Sequence, residues 1–180
     1  MKVCLRTFSK CAFLMVGLML LVIVGNMKEA AAATEGVFDY EIIGDGKAEI
    51  TGYNGTDSEV VIPETIGGLE VVRIGNEAFS GKSLTNVTIP NSVTSIENYA
   101  FEGNYLKSVT IPEGVTRIGD HAFAYNELES LTIPDSVTEI GINAFMMNGL
   151  QQVTIPDNVK EIAVNAGIHL THQRRNKIDP

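Results

Sequence analysis

The chain repeats itself every 22 residues, and that period limits its fold more than any other feature. Ile-Pro occurs at 62–63, 89–90, 111–112, 133–134 and 155–156, and Ala-Phe at 78–79, 100–101, 122–123 and 144–145. Every Ala-Phe step is 22 residues, as is every Ile-Pro step except the first, which is 27. The additional residues fall within ETIGGLE (64–70), where Gly67 and Gly68 mark a loop. A unit this short cannot enclose a hydrophobic core, but stacked units can share one. The period therefore predicts a solenoid in which each unit packs against its neighbours. At about 4.8 Å per coil, about five coils extend roughly 24 Å.

Alignment of the copies assigns a job to each column. Leu84/106/128/150, Val87/Val109/Leu131/Val153, Ile89/111/133/155, Val93/115/137/159 and Ile96/118/140/162 are always apolar and form the candidate core. In LKSVTI (106–111) alternation points Val109 and Ile111 inward and Ser108 and Thr110 outward, which reads as a strand. The proline that follows fixes φ and keeps the preceding isoleucine extended, so Pro90, Pro112, Pro134 and Pro156 are expected to end each strand at a corner. Val115 and Ile118 come after that corner, and Ala-Phe is expected to return the chain through a short helical or 3₁₀ segment. Asn104, Asn126 and Asn148 share the slot just before the next strand. An amide there can satisfy free backbone groups where the coil turns, so these residues are expected to be structural.

The consensus L-x-x-V-x-I-P-x-x-V-x-x-I-x-x-x-A-F-x-x-N-x resembles the bacterial BspA-like, or Treponema-type, leucine-rich repeat. The lead-in at 38–79 resembles that family's opening unit, and the likeness covers about 36–162. The last copy departs from it, with Ala166-Gly167 for Ala-Phe and no asparagine. The resemblance implies a leucine-rich repeat solenoid, mainly β with short helical or 3₁₀ turns. It would be wound as a curved right-handed coil of about five 22-residue repeats. The organisation expected is an N-terminal capping unit at 34–61, an array at 62–170 and a polar tail at 171–180. The resemblance also implies an extracellular or cell-surface interaction protein, as in family members that are adhesins, with a protein or matrix ligand. Fold alone does not fix that function.

The first 33 residues read as a secretory signal peptide. Lys2, Arg6 and Lys10 precede an uncharged apolar run from Cys11 to Gly25, and EAAAA (29–33) offers small residues for cleavage at or beside Ala33. The alternative is an uncleaved anchor, but the run is short of the roughly 20 residues that span a bilayer. Both cysteines, Cys4 and Cys11, lie in the leader, so the mature chain has no disulfide or thiolate metal site. Export without disulfides suits a bacterial protein. Without the leader the formal charge of −9 becomes −12, and residues 34–170 carry 6 Lys/Arg against 20 Asp/Glu. Such a surface repels nucleic acid and anionic lipid, so neither is expected as a partner, and the only membrane contact foreseen is the signal peptide's.

Catalytic constellations are sparse, and no cofactor is implied. His121 occupies a column filled elsewhere by Glu77, Tyr99, Asn143 and Asn165, which reads as a solvated position. His169 and His172 lie in the degenerate tail with no third metal ligand fixed beside them. Glu113, Asp135 and Asp157 recur just after the proline and stack about 5 Å apart, but as exposed turn residues rather than a glycosidase pair. IGDGK (43–47) lacks the alternating oxygen ligands of a calcium loop. What remains is surface. Asn86, Ser108, Ser130 and Gln152, with Thr88, Thr110, Thr132 and Thr154, form uncharged outward columns. Threonine stacks well on an exposed strand without any ligand, so the variable column Thr85, Lys107, Glu129 and Gln151 is the better candidate for reading a partner. Tyr99, Tyr105 and Tyr125 add exposed aromatic area.

These residues are most consistent with a non-enzymatic secreted or surface binding module. A structural fragment of a larger repeat protein and a secreted hydrolase built on the array are the alternatives. The fragment reading rests on the decayed final copy, which is also expected to fray or self-associate.

Overall fold

The computed structural model describes residues 32–162, apart from 152, 154 and 160. The predicted leader up to residue 31, the last copy's Ala166-Gly167, His169, His172 and the tail lie outside the described residues, as do Gln152 and Thr154. The described chain opens with an antiparallel meander of β1 (Ala32–Glu35), β2 (Phe38–Gly44) and β3 (Lys47–Tyr53). β1 begins inside the predicted leader boundary, with Ala33 opposite Tyr40.

From β3 onward the sheet becomes parallel. β3 pairs with β6 (Leu69–Ile74), and the ladder continues through β8 (Ser95–Ile96), β9 (Arg117–Ile118), β10 (Glu139–Ile140) and β11 (Glu161–Ile162). From β6 onward each step joins one coil to the next in register, for example Ile96 with Ile118 and Ile118 with Ile140, whereas the β3–β6 pairing carries a register shift at Ala48/Glu49. The insertion ETIGGLE forms β5 (Thr65–Ile66), which folds back on β6 through Gly67 and Gly68, both at positive φ. β4 (Glu59–Val61) and β7 (Asn86–Thr88) form a separate two-stranded parallel sheet.

That placement of strands corrects one expectation. The V-x-I segment was expected to build the sheet, but among the described residues it forms a strand pair only between β4 and β7, with a lone bridge residue at Thr132. The continuous ladder runs instead along the segment after the corner, at Ser95–Ile96 and its counterparts. Pro63, Pro90, Pro112 and Pro134 each remove a backbone donor at the end of the V-x-I segment, in the two copies that pair as well as in those that do not. The other segment keeps its donors, and Gly119 N–H reaches Ile96 O at 2.8 Å while Gly141 N–H reaches Ile118 O at 2.8 Å. The prolines do turn the chain, since each carbonyl accepts a bond from the valine three residues on. Those bonds measure 3.1 Å for Val93 to Pro90 and 3.0 Å for Val115 to Pro112.

The Ala-Phe connection corrects another. It is a run of hydrogen-bonded turns, and no helical or 3₁₀ segment occurs among the described residues. Each coil sets two residues four apart at positive φ: Glu77 and Gly81, Tyr99 and Gly103, His121 and Tyr125, Asn143 and Met147. Left-handed residues cannot extend a right-handed helix. The phenylalanine amides also point along the solenoid rather than back into their own turn. Phe79, Phe101 and Phe123 donate to Ala100, Ala122 and Ala144 of the following coil, each at 2.8 Å.

Those turns deliver the aromatic side chains to the axis of the stack. Phe79, Phe101, Phe123 and Phe145 are fully buried, with successive ring centroids 5.1, 5.1 and 5.7 Å apart and nearly parallel planes. The meander closes the N-terminal end of this column: Tyr53 stacks on Phe79 at 5.7 Å, and Phe38 packs against both rings. Around the rings lie Leu84, Leu106 and Leu128, Val93, Val115 and Val137, and Ile96, Ile118 and Ile140. The core is thus one apolar column shared by all the coils.

Three outcomes follow. Phe123→Ala is expected to cost about 3–5 kcal/mol in urea unfolding, since it removes a ring packed on both faces. Tyr125→Gly is expected to be neutral or to stabilise by up to about 1 kcal/mol, because it relieves a left-handed residue, whereas Gly103→Ala costs about as much. At the meander, the Asp39 carboxyl is held below its usual range chiefly by the Thr34 hydroxyl, and then by the Asn54 amide. Its contribution is therefore complete above the unfolded carboxylate's pKa of about 3.9 and is lost as pH falls through the depressed folded value. Hydrogen exchange at the Asn54 amide, bonded to Val37 O, should accelerate over that acid window, and Thr34→Ala should move the onset to higher pH.

Candidate binding surface

The surface rests on bonds that tie one coil to the next. Asn104 Oδ1 accepts the Leu84 amide at 2.9 Å, while its Nδ2 donates to the carbonyls of Phe79 at 2.8 Å and Phe101 at 3.0 Å. Asn126 repeats the pattern on Leu106, Phe101 and Phe123, and Asn148 repeats it on Leu128, Phe123 and Phe145. The carbonyls of Phe101 and Phe123 therefore each receive two asparagines, from their own coil and the following one. Asn104 and Asn126 are buried, so these bonds form away from competing water.

A second run of side-chain acceptors went unrecognised in the sequence. Asn76 Oδ1 accepts the Asn98 amide at 3.1 Å, Asn98 Oδ1 the Asp120 amide at 2.8 Å, and Asp120 Oδ1 the Ile142 amide at 2.7 Å. The bonds shorten where glycine precedes the donor: Glu97 lies before Asn98, Gly119 before Asp120 and Gly141 before Ile142. A Cβ at Gly119 would lie 2.6 Å from the Asn98 amide nitrogen, so its absence permits the close approach. The signal was present as Asn76, Asn98 and Asp120 at 22-residue spacing, and Ile142 ends the run with a side chain that accepts nothing.

Charge is also arranged in a line. Arg73 lies 3.1 Å from Glu49 and 3.4 Å from Glu97, and Arg117 lies 3.6 Å from Glu97 and 2.7 Å from Glu139. The carboxylate of Glu139, bonded to Arg117, holds that guanidinium above its already high range. These pairs are partly exposed, and each is worth about 1 kcal/mol or less. On the same sheet Thr94, Thr116 and Thr138 each donate a hydroxyl, at 3.2 Å, to the carbonyl of Val72, Thr94 and Thr116 respectively.

The residues singled out for binding occupy one exposed strip. Thr85, Asn86, Thr88, Lys107, Ser108, Thr110, Glu129, Ser130, Thr132 and Gln151 are all exposed. Among them Asn86 and Thr88 lie on β7, opposite Glu59 and Val61, and Thr85 is anchored through its amide to Ser58 O at 2.8 Å. The strip stays in step from coil to coil, since the Glu129 amide reaches Lys107 O at 3.1 Å. The hydroxyls of Ser108 and Thr110 have no hydrogen-bond partner among the described residues. Tyr105, Tyr125 and Met147 are also exposed, at 53%, 46% and 63%.

His121 differs from its expected solvated role. It is half-buried, stacked on Tyr99 with ring centroids 5.0 Å apart, and its Nε2 lies 3.3 Å from the Asn143 amide nitrogen. Its Nδ1 has no hydrogen-bond partner and lies 4.0 Å from Glu102. The left-handed backbone at 99, 121 and 143 aligns these side chains over one another, which the sequence column alone did not reveal. Among the described residues no three His, Cys, Asp or Glu side chains converge to hold a metal ion.

A protein-family model described as "BspA type Leucine rich repeat region" matches residues 70–169 in six copies. Among solved structures, a leucine-rich repeat protein of Treponema pallidum is 25% identical with a TM-score of 0.54, covering 67% of this chain and 69% of that one. One from Bacteroides ovatus is 28% identical with a TM-score of 0.53, covering 71% of this chain and 42% of that one. The pneumococcal vaccine antigen PcpA, 23% identical with a TM-score of 0.59, is a likeness of fold. It covers 74% of this chain and 40% of that one, so the chain spans well under half of the two longer proteins. No curated protein matches the chain.

The bonding pattern separates scaffold from surface experimentally. Asn126→Ala leaves the buried Leu106 amide unpaired and is expected to cost about 1–3 kcal/mol in chemical denaturation. Ser108→Ala, on the exposed strip, should change stability by no more than about 0.5 kcal/mol.

Proposed function

The chain belongs to the BspA-type leucine-rich repeat family, and from that membership we propose that it is a non-enzymatic binding module, exported to the surface or surroundings of a bacterial cell. Its ligand is a protein or matrix component, held on the exposed strip from Thr85 to Gln151. The observation that carries this reading is a contrast within each coil. The inward columns and the asparagines are nearly invariant, whereas the exposed slot reads Thr85, Lys107, Glu129 and Gln151 on a backbone of fixed register. A rigid frame that presents varied side chains in a row suits recognition, because little side-chain or loop ordering is needed on binding. Solenoids use extended surfaces of this kind. The basic and apolar leader supports export, and the acidic array supports a partner that is not itself strongly anionic.

The full chain, after removal of any leader, is to be tested by biolayer interferometry against matrix proteins and purified cell-surface proteins. The double variant Lys107→Glu with Glu129→Lys should weaken binding of the captured ligand by about tenfold, or about 1.4 kcal/mol, with unchanged thermal stability. A variant that binds as tightly as the parent would remove the strip from the interface. Hydrolytic turnover without any captured ligand would overturn the binding reading altogether.

A further inference from the structure

Two asparagines in the described chain are followed by glycine: Asn54-Gly55 and Asn148-Gly149. This dipeptide permits a reaction internal to the chain, since glycine has no side chain to hinder its own amide. The glycine nitrogen, as its deprotonated amide, attacks the asparagine Cγ and forms a five-membered succinimide. The side-chain nitrogen leaves as ammonia, taking up the proton, and water then opens the ring to an aspartyl or isoaspartyl residue. The reaction requires the side-chain carbonyl carbon to swing onto the next backbone nitrogen, so whatever holds the amide decides the rate.

The two sites are held very differently. The Asn148 amide is tied on both atoms: Oδ1 accepts Leu128 N–H at 3.0 Å, and Nδ2 donates to Phe123 O and Phe145 O at 2.9 Å each and to Met146 O at 3.3 Å. Asn54 is exposed, lies in the irregular segment after β3, and has one side-chain bond, from Nδ2 to Asp39 Oδ2 at 2.8 Å. Neither the Gly55 nor the Gly149 amide has a hydrogen-bond partner among the described residues, so the two sites differ in how the asparagine side chain is held.

We infer that Asn54-Gly55 is a site of spontaneous deamidation in the folded protein, that Asn148-Gly149 is protected by the asparagine ladder, and that conversion at Asn54 loosens the N-terminal meander. The last clause follows from what Asn54 touches. Thr34 Oγ1 donates to Asp39 Oδ1 at 2.5 Å, and Asn54 donates to the other oxygen of the same carboxylate. Together they tie β1 and β2 to the end of β3. Conversion replaces the donating NH2 with a carboxylate, so two anions face each other where a hydrogen bond stood. An isoaspartyl product also adds a backbone methylene beside the Asn54 amide, which bonds Val37 O at 2.8 Å.

The test is incubation of the folded full chain at mildly alkaline pH, followed by charge-variant separation and peptide mapping. The expected result is a more acidic species whose new carboxylate maps to residue 54, formed at least about tenfold faster than any change at residue 148, since an opening cost of about 1.4 kcal/mol corresponds to that factor. Asn54→Gln, whose longer side chain closes the less favourable six-membered ring, should abolish the species. In urea-unfolded chain the two sites should convert at similar rates. Equal rates at 54 and 148 in the folded chain, or conversion at 54 only after unfolding, would overturn the assignment. Asn54→Asp should lower the melting temperature and speed amide exchange in β1 and β2, and unchanged values would overturn the claim that conversion loosens the meander.

Discussion

The array depends on the side-chain amide of one asparagine per coil. Its turns are too irregular to satisfy their own backbone, because two left-handed residues in each coil prevent helical bonding. Carbonyls such as Phe101 O and Phe123 O would then be buried without donors, at a cost of about 1–3 kcal/mol each. Asn104, Asn126 and Asn148 remove that cost from inside the stack, each joining an amide and a phenylalanine carbonyl of the preceding coil to carbonyls of its own. With the turns satisfied, the phenylalanines can be placed at the axis, and the rest of the apolar column closes around them. Asparagine is suited to this slot because it alone among short side chains offers an acceptor and two donors in one plane.

The outer layers repeat the same logic with decreasing strictness. The run from Asn76 to Asp120 bonds amide to side chain across each coil, the threonines of the main ladder reach the carbonyl behind them, and alternating arginines and glutamates line up beside them. All of these contacts join a coil to its neighbours, so stability is closer to a sum of adjacent couplings than to one global core. The exposed strip contributes little to those couplings. That freedom lets Lys107 and Glu129 occupy equivalent positions without disturbing the frame.

The core and the 22-residue period were legible because they depend on residue type alone. Leucine, valine, isoleucine and phenylalanine at fixed spacing can only be buried together, and all four Ala-Phe pairs are buried. What the sequence concealed was decided by backbone geometry. Tyr99, His121 and Asn143 look like an arbitrary surface column until their left-handed φ stacks them. The expected helical segment failed for the same reason, since the phenylalanine amides bond forward to the next coil. The strand was sought at V-x-I because alternation is strongest there, but the continuous ladder formed on the other segment, which keeps its backbone donors. Of the exposed strip, the pattern could show which residues face outward but not what they meet.

The direction of the bonds has a mechanical consequence. The ladders join coil to coil, so they run along the solenoid axis. Tension applied along that axis passes through every coil boundary in series, so the weakest boundary yields first and the molecule lengthens by releasing coils one at a time. Tension across the axis, within a coil, meets several bonded neighbours at once and is shared among them. A chain of this design is compliant end to end and stiff from side to side, and anchorage geometry decides which of those two responses a bound partner would feel.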